Sequence, residues 1–343
     1  MGEETYQTDM IIIGAGPVGL FAVFEAGLLG MKCHLIDNLD RPGGQCTELY
    51  PEKPIYDIPS RPKVTGQELV DNLIEQCRPF EPRFHLSQQA GALRQLFSGH
   101  WRIETTRDVA IEAPVVVVAA GAGSFVPKKP PYPDLELFEE KSVRYAVKNM
   151  DNYRDKKLVI VGGGDSALDW VMNLYPLARR ITLVHRREAF RGAPDSAARV
   201  LRMAEEGKID HHVGEITGLF GKNGQLEAVH IHKKNGEEVL EECDILMPFL
   251  GLKISLGAIA EWGLNLTRNH VDVDPATFAT STPGIYAIGD VCNYPGKLKL
   301  ILTGFYEAAV MARAAFKYAY PDRKIAGGYT TTSSVLQDRL GVK

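Results

Sequence analysis

Two glycine clusters in this chain stand where a backbone could cradle a phosphate. The first is Gly14-Ala15-Gly16-Pro17-Val18-Gly19. With 33 glycines in 343 positions, a G-x-G-x-x-G run arises roughly 0.3 times by chance, so its context has to carry the argument. It follows the apolar run Met10–Ile13 and opens a helical stretch from Val18 to Leu29. A strand, a tight turn and a helix N-terminus aim backbone N–H groups and the helix dipole at one point, and a pyrophosphate suits that point. Gly14 permits the turn, Gly16 lets phosphate approach with Pro17 beside it, and Gly19 lets helix pack on strand. Asp37, 18 residues past Gly19 at the end of the next apolar run, is the acid expected to accept hydrogen bonds from an adenosine ribose.

The second cluster is Gly162-Gly163-Gly164-Asp165-Ser166-Ala167, again between an apolar run and a helical stretch. Gly162, Gly164, Asp165 and Ser166 are its candidate nucleotide contacts. The position 18 residues past Ala167 is His185, followed by Arg186 and Arg187, with Arg191 close behind. One topological slot thus holds an acid in the first repeat and bases in the second. An acid favours a free 2′-hydroxyl, whereas guanidinium groups pair with a 2′-phosphate through charge-assisted bonds. A solvated basic turn is the bland reading; the matched offset favours NADP over NAD. Opposite 2′ chemistry at two sites suggests a resident flavin, FAD, and an exchangeable NADPH/NADP+.

Certain elements must position these motifs. Met10–Ile13, Cys33–Ile36, Val115–Ala119, Leu158–Val161, Ile181–Val184 and Ile285–Ile288 read as buried strands. Helices are expected over Val18–Leu29, Gln67–Arg78, Ser166 to about Leu177, and Leu300–Tyr320, the last weakened by Gly304. Val213–Asp244 alternates like a β-meander with turns at Gly221–Gly224 and Asn235–Gly236. Asp40–Pro62, rich in Pro and Gly, reads as a long functional loop. The fold class is α/β, with two Rossmann-like dinucleotide-binding domains, one nested in the other. Prolines at 127, 130, 131 and 133 suggest a domain crossing. The expected division is residues 1–122 and 285–343 for the FAD domain and 123–284 for the NADPH domain.

Composition is that of an ordinary globular chain, 45% apolar and 24% charged. A net charge of −4 gives no basic footprint for nucleic acid. The stretch Met10–Met31, in which Glu25 is the one charge, is broken early by glycines and has no basic segment before it, so no membrane span is expected. Tyr6 spoils a myristoylation pattern. Cys33, Cys46, Cys77, Cys243 and Cys292 form no C-x-x-C, which suits free thiols in a reducing, cytoplasmic setting.

Beyond these readings, the chain resembles the low-molecular-weight thioredoxin reductases across most of its length. The resemblance rests on Gly14–Gly19, Gly43-Gly44-Gln45, Gly162–Ala167, His185-Arg186-Arg187 and Ile285-Tyr286-Ala287-Ile288-Gly289-Asp290. It implies that Gly289 and Asp290 meet the flavin. The redox dithiol of that family is missing: its two positions hold Ala146 and Asn149, so a thiol–disulfide relay is excluded. Bacillithiol disulfide reductases, also similar, carry a Cys where this chain has Val18. The chain is identified instead with the thioredoxin-reductase-like ferredoxin–NADP reductases, on Leu49-Tyr50-Pro51, Tyr56-Asp57-Ile58-Pro59, Gly162–Trp170, Gly296–Ile301 and the tail Gly327–Lys343.

That resemblance implies a homodimer passing electrons from NADPH through FAD to a one-electron carrier, ferredoxin or flavodoxin. It implies Tyr50 on one flavin face and Tyr329 on the other, with Asp57 and Thr330 tuning or positioning the ring. Gly44, Gln45, Ala90, Phe125 and Thr331 complete the flavin set it implies. Lys128, Lys129, Lys297, Lys299, Arg339 and Lys343 are candidates to dock an acidic partner. No metal site is expected. A quinone or ferric-chelate reductase and a non-catalytic NADPH-sensing flavoprotein remain the alternatives.

Overall fold

Met10–Ile13 is a run without a polar side chain, and none of its residues is more than 6% exposed. Such a run suits a strand covered on both faces, as in a parallel sheet. In the computed structural model, which describes residues 4–139, 141–325 and 334–340 without the side chains of Val335, Arg339 and Leu340, it is the central strand of five. The sheet order is Ile285–Ala287, Val115–Val118, Met10–Ile13, Cys33–Ile36, Arg83–His85. Every neighbouring pair is parallel. In chain order this is the doubly wound arrangement, whose topological switch lies between Met10–Ile13 and Val115–Val118.

Register decides what gathers at the sheet's C-terminal edge. Ile13 pairs with Ile36 and with Val118, and Val118 pairs with Ala287. The residues next in chain, Gly14, Asp37, Ala119 and the Ile288-Gly289-Asp290 turn, are therefore brought to one edge although they are distant in sequence. The helix Pro17–Leu28 starts from Gly16 with Pro17 in its first turn and no side-chain cap. The helix Gly66–Cys77 opens on a reciprocal capping box between Thr65 and Glu68.

The chain divides into two compact units, Met1–Phe125 with Ile254–Lys343, and Val126–Lys253. The expected return to the first domain at residue 285 is corrected to 254. Leu256, Ile259, Leu264 and Val271 are buried in the same core as Ile11, Trp101 and Val116, a long-range packing that no local pattern announces. The first crossing falls after Phe125 rather than at 122.

In the second unit a six-stranded sheet runs Glu238–Glu242, Gln225–Lys233, Asp210–Lys222, Arg180–His185, Lys157–Val161, Ile245–Pro248. The first three form the expected antiparallel meander, and the rest is parallel. The helix Asp165–Leu174 follows the second glycine cluster.

Other expectations also change. The stretch 40–62 is not all loop: it holds a helical turn at Gln45–Glu48 and a strand Pro54–Ile55 paired with Val64–Thr65. The helix Pro194–Glu205 and the sheet Glu4–Gln7, Val109–Ala113, Trp101–Thr105, Ala90–Gln95 were not anticipated. Gly304 does not interrupt its helix, which runs unbroken over Ile301–Ala319. It is buried there, and a Cβ would come within 2.3 Å of Val18 Cγ2; the glycine lets two helices touch.

Candidate functional site

The three glycines of the first motif do three different things. At Gly14 (φ +106°) a Cβ would lie 2.4 Å from the Ala119 carbonyl oxygen, and at Gly19 one would lie 2.0 Å from the Gly14 carbonyl oxygen. Both positions are closed by backbone. At Gly16 a Cβ would meet nothing within 4 Å: that side faces the open cavity at the sheet edge. The cradle thus has the form a dinucleotide pyrophosphate needs, a close backbone approach beside an uncapped helix N-terminus.

Asp37 is 8% exposed at one end of this cavity. Its carboxylate accepts the Ala15 N–H at 2.7 Å and the Leu39 N–H at 2.9 Å. Burial raises its pKa, and the backbone N–H groups pull the other way. Asp37 therefore ties the glycine turn to the next strand while its edge stays on the cavity wall. Gly44 (φ +58°) packs against Gly16, its ideal Cβ 3.2 Å from Gly16 Cα. The Gly43 N–H bonds the Ala15 carbonyl at 2.8 Å.

Pro17, Gln45, Ala90, Phe125, Gly289 and Asp290 also line the cavity. So does Tyr50. Burial pushes Tyr50 up and Cys46 up to about 11, so both stay protonated at neutral pH. Asp57 is the exception and a correction. It lies in the connection between Pro54–Ile55 and Val64–Thr65, exposed and off the cavity wall, because that short hairpin carries it outward. Tyr329, Thr330 and Thr331 lie outside the described residues.

Sequence reading missed part of this wall. Gln88, Cys46 and the segment Ser255–Ile259 line it. Ser255–Ile259 was assigned to the other domain, and only its long-range packing places it here. The docking set is also revised. Lys297 is no surface cation: its side chain is 7% exposed and its ammonium pairs with the fully buried Glu307. Lys129 pairs with Glu139 at 2.7 Å. Lys299 lines the cavity, and Lys128 is exposed. The Arg339 side chain and Lys343 lie outside the described residues.

In the second unit Gly162 (φ +148°) turns under the Phe249 carbonyl, which a Cβ would approach to 2.7 Å, whereas a Cβ on Gly164 would meet nothing within 4 Å. Gly164 is the uncapped start of the helix Asp165–Leu174. The division into closed and open glycines repeats that of the first motif. Asp165 accepts the Ala193 N–H at 2.7 Å, and the Arg191 N–H donates to the Gly163 carbonyl at 2.6 Å. These bonds fold residues 191–193 against the glycine turn. Ser166 is exposed in the first helical turn.

Arg186, Arg187 and Arg191 are exposed, and none forms an ion pair among the described residues. Their charge is available to an anion. His185 differs from the expectation. It is 6% exposed, and a Cβ on Gly163 would strike its ring at 2.5 Å. Burial lowers its pKa, with the neighbouring guanidinium groups adding to the effect. The neutral ring is a strut beneath the turn, tilted against Phe190 at 5.5 Å between centroids, rather than a surface contact. Asn149 caps a short turn by accepting the Asp151 N–H at 2.8 Å.

The chain is similar to known proteins over nearly its whole length. A family model described as pyridine nucleotide-disulphide oxidoreductase matches residues 8–314. The chain is 56% identical over 342 residues to a ferredoxin–NADP reductase of Parvibaculum lavamentivorans, covering 100% of both chains. It is 52% identical over 339 residues to one of Nitrobacter hamburgensis, covering 99% of each. Among solved structures, the thioredoxin reductase of Lactococcus lactis superposes with a TM-score of 0.75 at 23% identity, covering 92% of this chain and 99% of that one; at that identity the likeness is one of fold.

Proposed function

Because the chain belongs to the pyridine nucleotide-disulphide oxidoreductase family, among its ferredoxin–NADP reductases, we propose that it moves electrons between NADPH and ferredoxin or flavodoxin through FAD. The observation that carries this reading is the pair of glycine cradles with opposite charge beside them, Asp37 at one and Arg186, Arg187 and Arg191 at the other. Bound FAD supplies what no side chain here can, accepting a hydride from NADPH and giving up electrons one at a time.

The protein's own part is binding and orientation. Gly16 leaves room for the pyrophosphate at the helix N-terminus, Asp37 accepts hydrogen bonds from the adenosine ribose, and Tyr50 offers an aromatic ring from the cavity wall. Asp290 stands ready to bond the ribityl chain, with Gly289 allowing the backbone close. In the second unit Gly164, Asp165 and Ser166 frame the dinucleotide, and the three arginines take the 2′-phosphate. Ala146 and Asn149 leave no dithiol to divert electrons.

A cytoplasmic homodimer completes the proposal. Five buried, unpaired cysteines suit a reducing compartment, and no helix among the described residues is long and apolar enough to cross a membrane. The test is steady-state oxidation of NADPH by the purified yellow protein with ferredoxin, flavodoxin, thioredoxin and a quinone as separate acceptors. Rapid turnover with ferredoxin or flavodoxin and none with thioredoxin is expected. Turnover with quinone alone, or a single equivalent of flavin reduction with every acceptor, refutes the reading.

A further inference from the structure

Glu307 is two turns inside the helix Ile301–Ala319 and has no exposed surface. Four donors from one short stretch of chain converge on its carboxylate. One oxygen takes the Gly289 N–H at 2.6 Å and the Cys292 thiol at 3.5 Å. The other takes the Tyr294 hydroxyl at 2.7 Å and the Lys297 ammonium. Gly289 has φ +77°, and its N–H points away from the sheet ladder; without Glu307 that buried donor would be orphaned. The Cys292 thiol, which burial pushes up to about 12, also bonds the Gly289 carbonyl at 3.2 Å.

Taking two opposite charges out of water is seldom repaid in stability alone; an apolar pair of equal volume often serves a core as well. Here the pair lies at the root of the turn that puts Asp290 on the cavity wall, and the same chain segment continues into Lys299, Leu300 and Ile301, which line it too.

We propose that Glu307, neutralised by Lys297, is a positioning residue for the FAD site: it ties the Gly289–Asp290 turn to the helix Ile301–Ala319 and so sets where Asp290 and Lys299 stand. The inference rests on the FAD reading above. Removing the tie loosens the wall that meets the cofactor, while the nucleotide cradle of the second unit, built from other residues, is untouched.

The informative variant is Glu307→Leu with Lys297→Met, which deletes both charges at similar volume. Four quantities are read on deflavinated and reconstituted protein: melting temperature, FAD dissociation constant from flavin fluorescence, visible circular dichroism of the bound flavin, and affinity for 2′,5′-ADP. The double variant is expected to lose some thermal stability, because the Gly289 N–H keeps no acceptor, and to bind 2′,5′-ADP normally. Its FAD affinity should fall at least tenfold and its flavin dichroism should change. Glu307→Leu alone should also lose thermal stability, because Lys297 is stranded. If the double variant does not fold, Tyr294→Phe and Cys292→Ala each remove one donor, and each should weaken FAD two- to fivefold at unchanged melting temperature. FAD affinity within twofold of wild type in the folded variants, with unaltered dichroism, overturns the inference alone. Wild-type protein that takes up no FAD overturns the cofactor reading and this inference with it.

Discussion

Gly16→Ala separates the fold from the cofactor site. Gly16 has φ −72° and ψ −179°, a conformation alanine adopts without strain, and its Cβ would stand in open space. In the free protein the change should be neutral or stabilising, by about 0.4–1 kcal/mol through the unfolded chain. That is a rise of roughly 1–4 °C for a unit of this size. The methyl group, however, would occupy the side from which the pyrophosphate must approach. Displacing the phosphate from even one backbone N–H removes a charge-assisted bond of about 1.5–3 kcal/mol, or roughly a 10- to 150-fold loss of affinity. Gly14→Ala and Gly19→Ala should behave in the opposite way. Their Cβ atoms would meet carbonyl oxygens at 2.4 and 2.0 Å, so the apoprotein itself should lose at least about 1–3 kcal/mol. Differential scanning fluorimetry of deflavinated protein and a fluorescence titration with FAD measure both quantities. If Gly16→Ala binds FAD within threefold of wild type, the pyrophosphate does not lie against Gly16 and the assignment of this cavity is wrong.

Three further outcomes can be checked. Arg186→Ala with Arg187→Ala should cut the preference for NADPH over NADH by roughly one to three decades, since each lost guanidinium–phosphate bond is worth about 1.5–3 kcal/mol; a ratio of kcat/KM values that moves less than threefold clears these residues of the role. His34 is half-buried beside His85, 3.1 Å between ring nitrogens, and desolvation, then His85 and Arg83, push its pKa down to about 4. Because the unfolded chain takes up this proton first, the stability contributed by a neutral His34 is full above about pH 6.5 and is lost as pH falls towards 4. Urea midpoints should therefore decline from pH 6.5 to 5, and His34→Gln should flatten that decline; an unchanged slope refutes it. Gly304→Ala gains about 1 kcal/mol of helix propensity but overpacks against Val18 at 2.3 Å, costing about 1–3 kcal/mol. A net loss of stability that Val18→Ala partly relieves is expected, and strict additivity in the double-mutant cycle would show that the two residues do not press on each other.

Much of this protein is legible without a structure, for a local reason. Strand, glycine turn and helix N-terminus are contiguous in chain, so Gly14, Gly16 and Gly19, and equally Gly162 and Gly164, declare their backbone roles through a handful of neighbours. Asp37 and the Arg186–Arg187 pair are set by a fixed offset along a β-α-β unit, and the loss of the dithiol is a matter of two residue types, Ala146 and Asn149. What only tertiary structure decided depends on pairings distant in sequence. Lys297 reads as a surface cation until Glu307 closes over it. His185 reads as a nucleotide contact until Gly163 is laid on its ring. Asp57 reads as a flavin contact until a two-residue strand pairing carries it into solvent. Ser255–Ile259 joins the cavity wall because Leu256 and Ile259 are buried in the same core as Ile11 and Trp101. Local sequence specifies the conformation of a turn; whether a charged side chain faces water or another charge is decided by the free energy of burial, which depends on the whole packed neighbourhood.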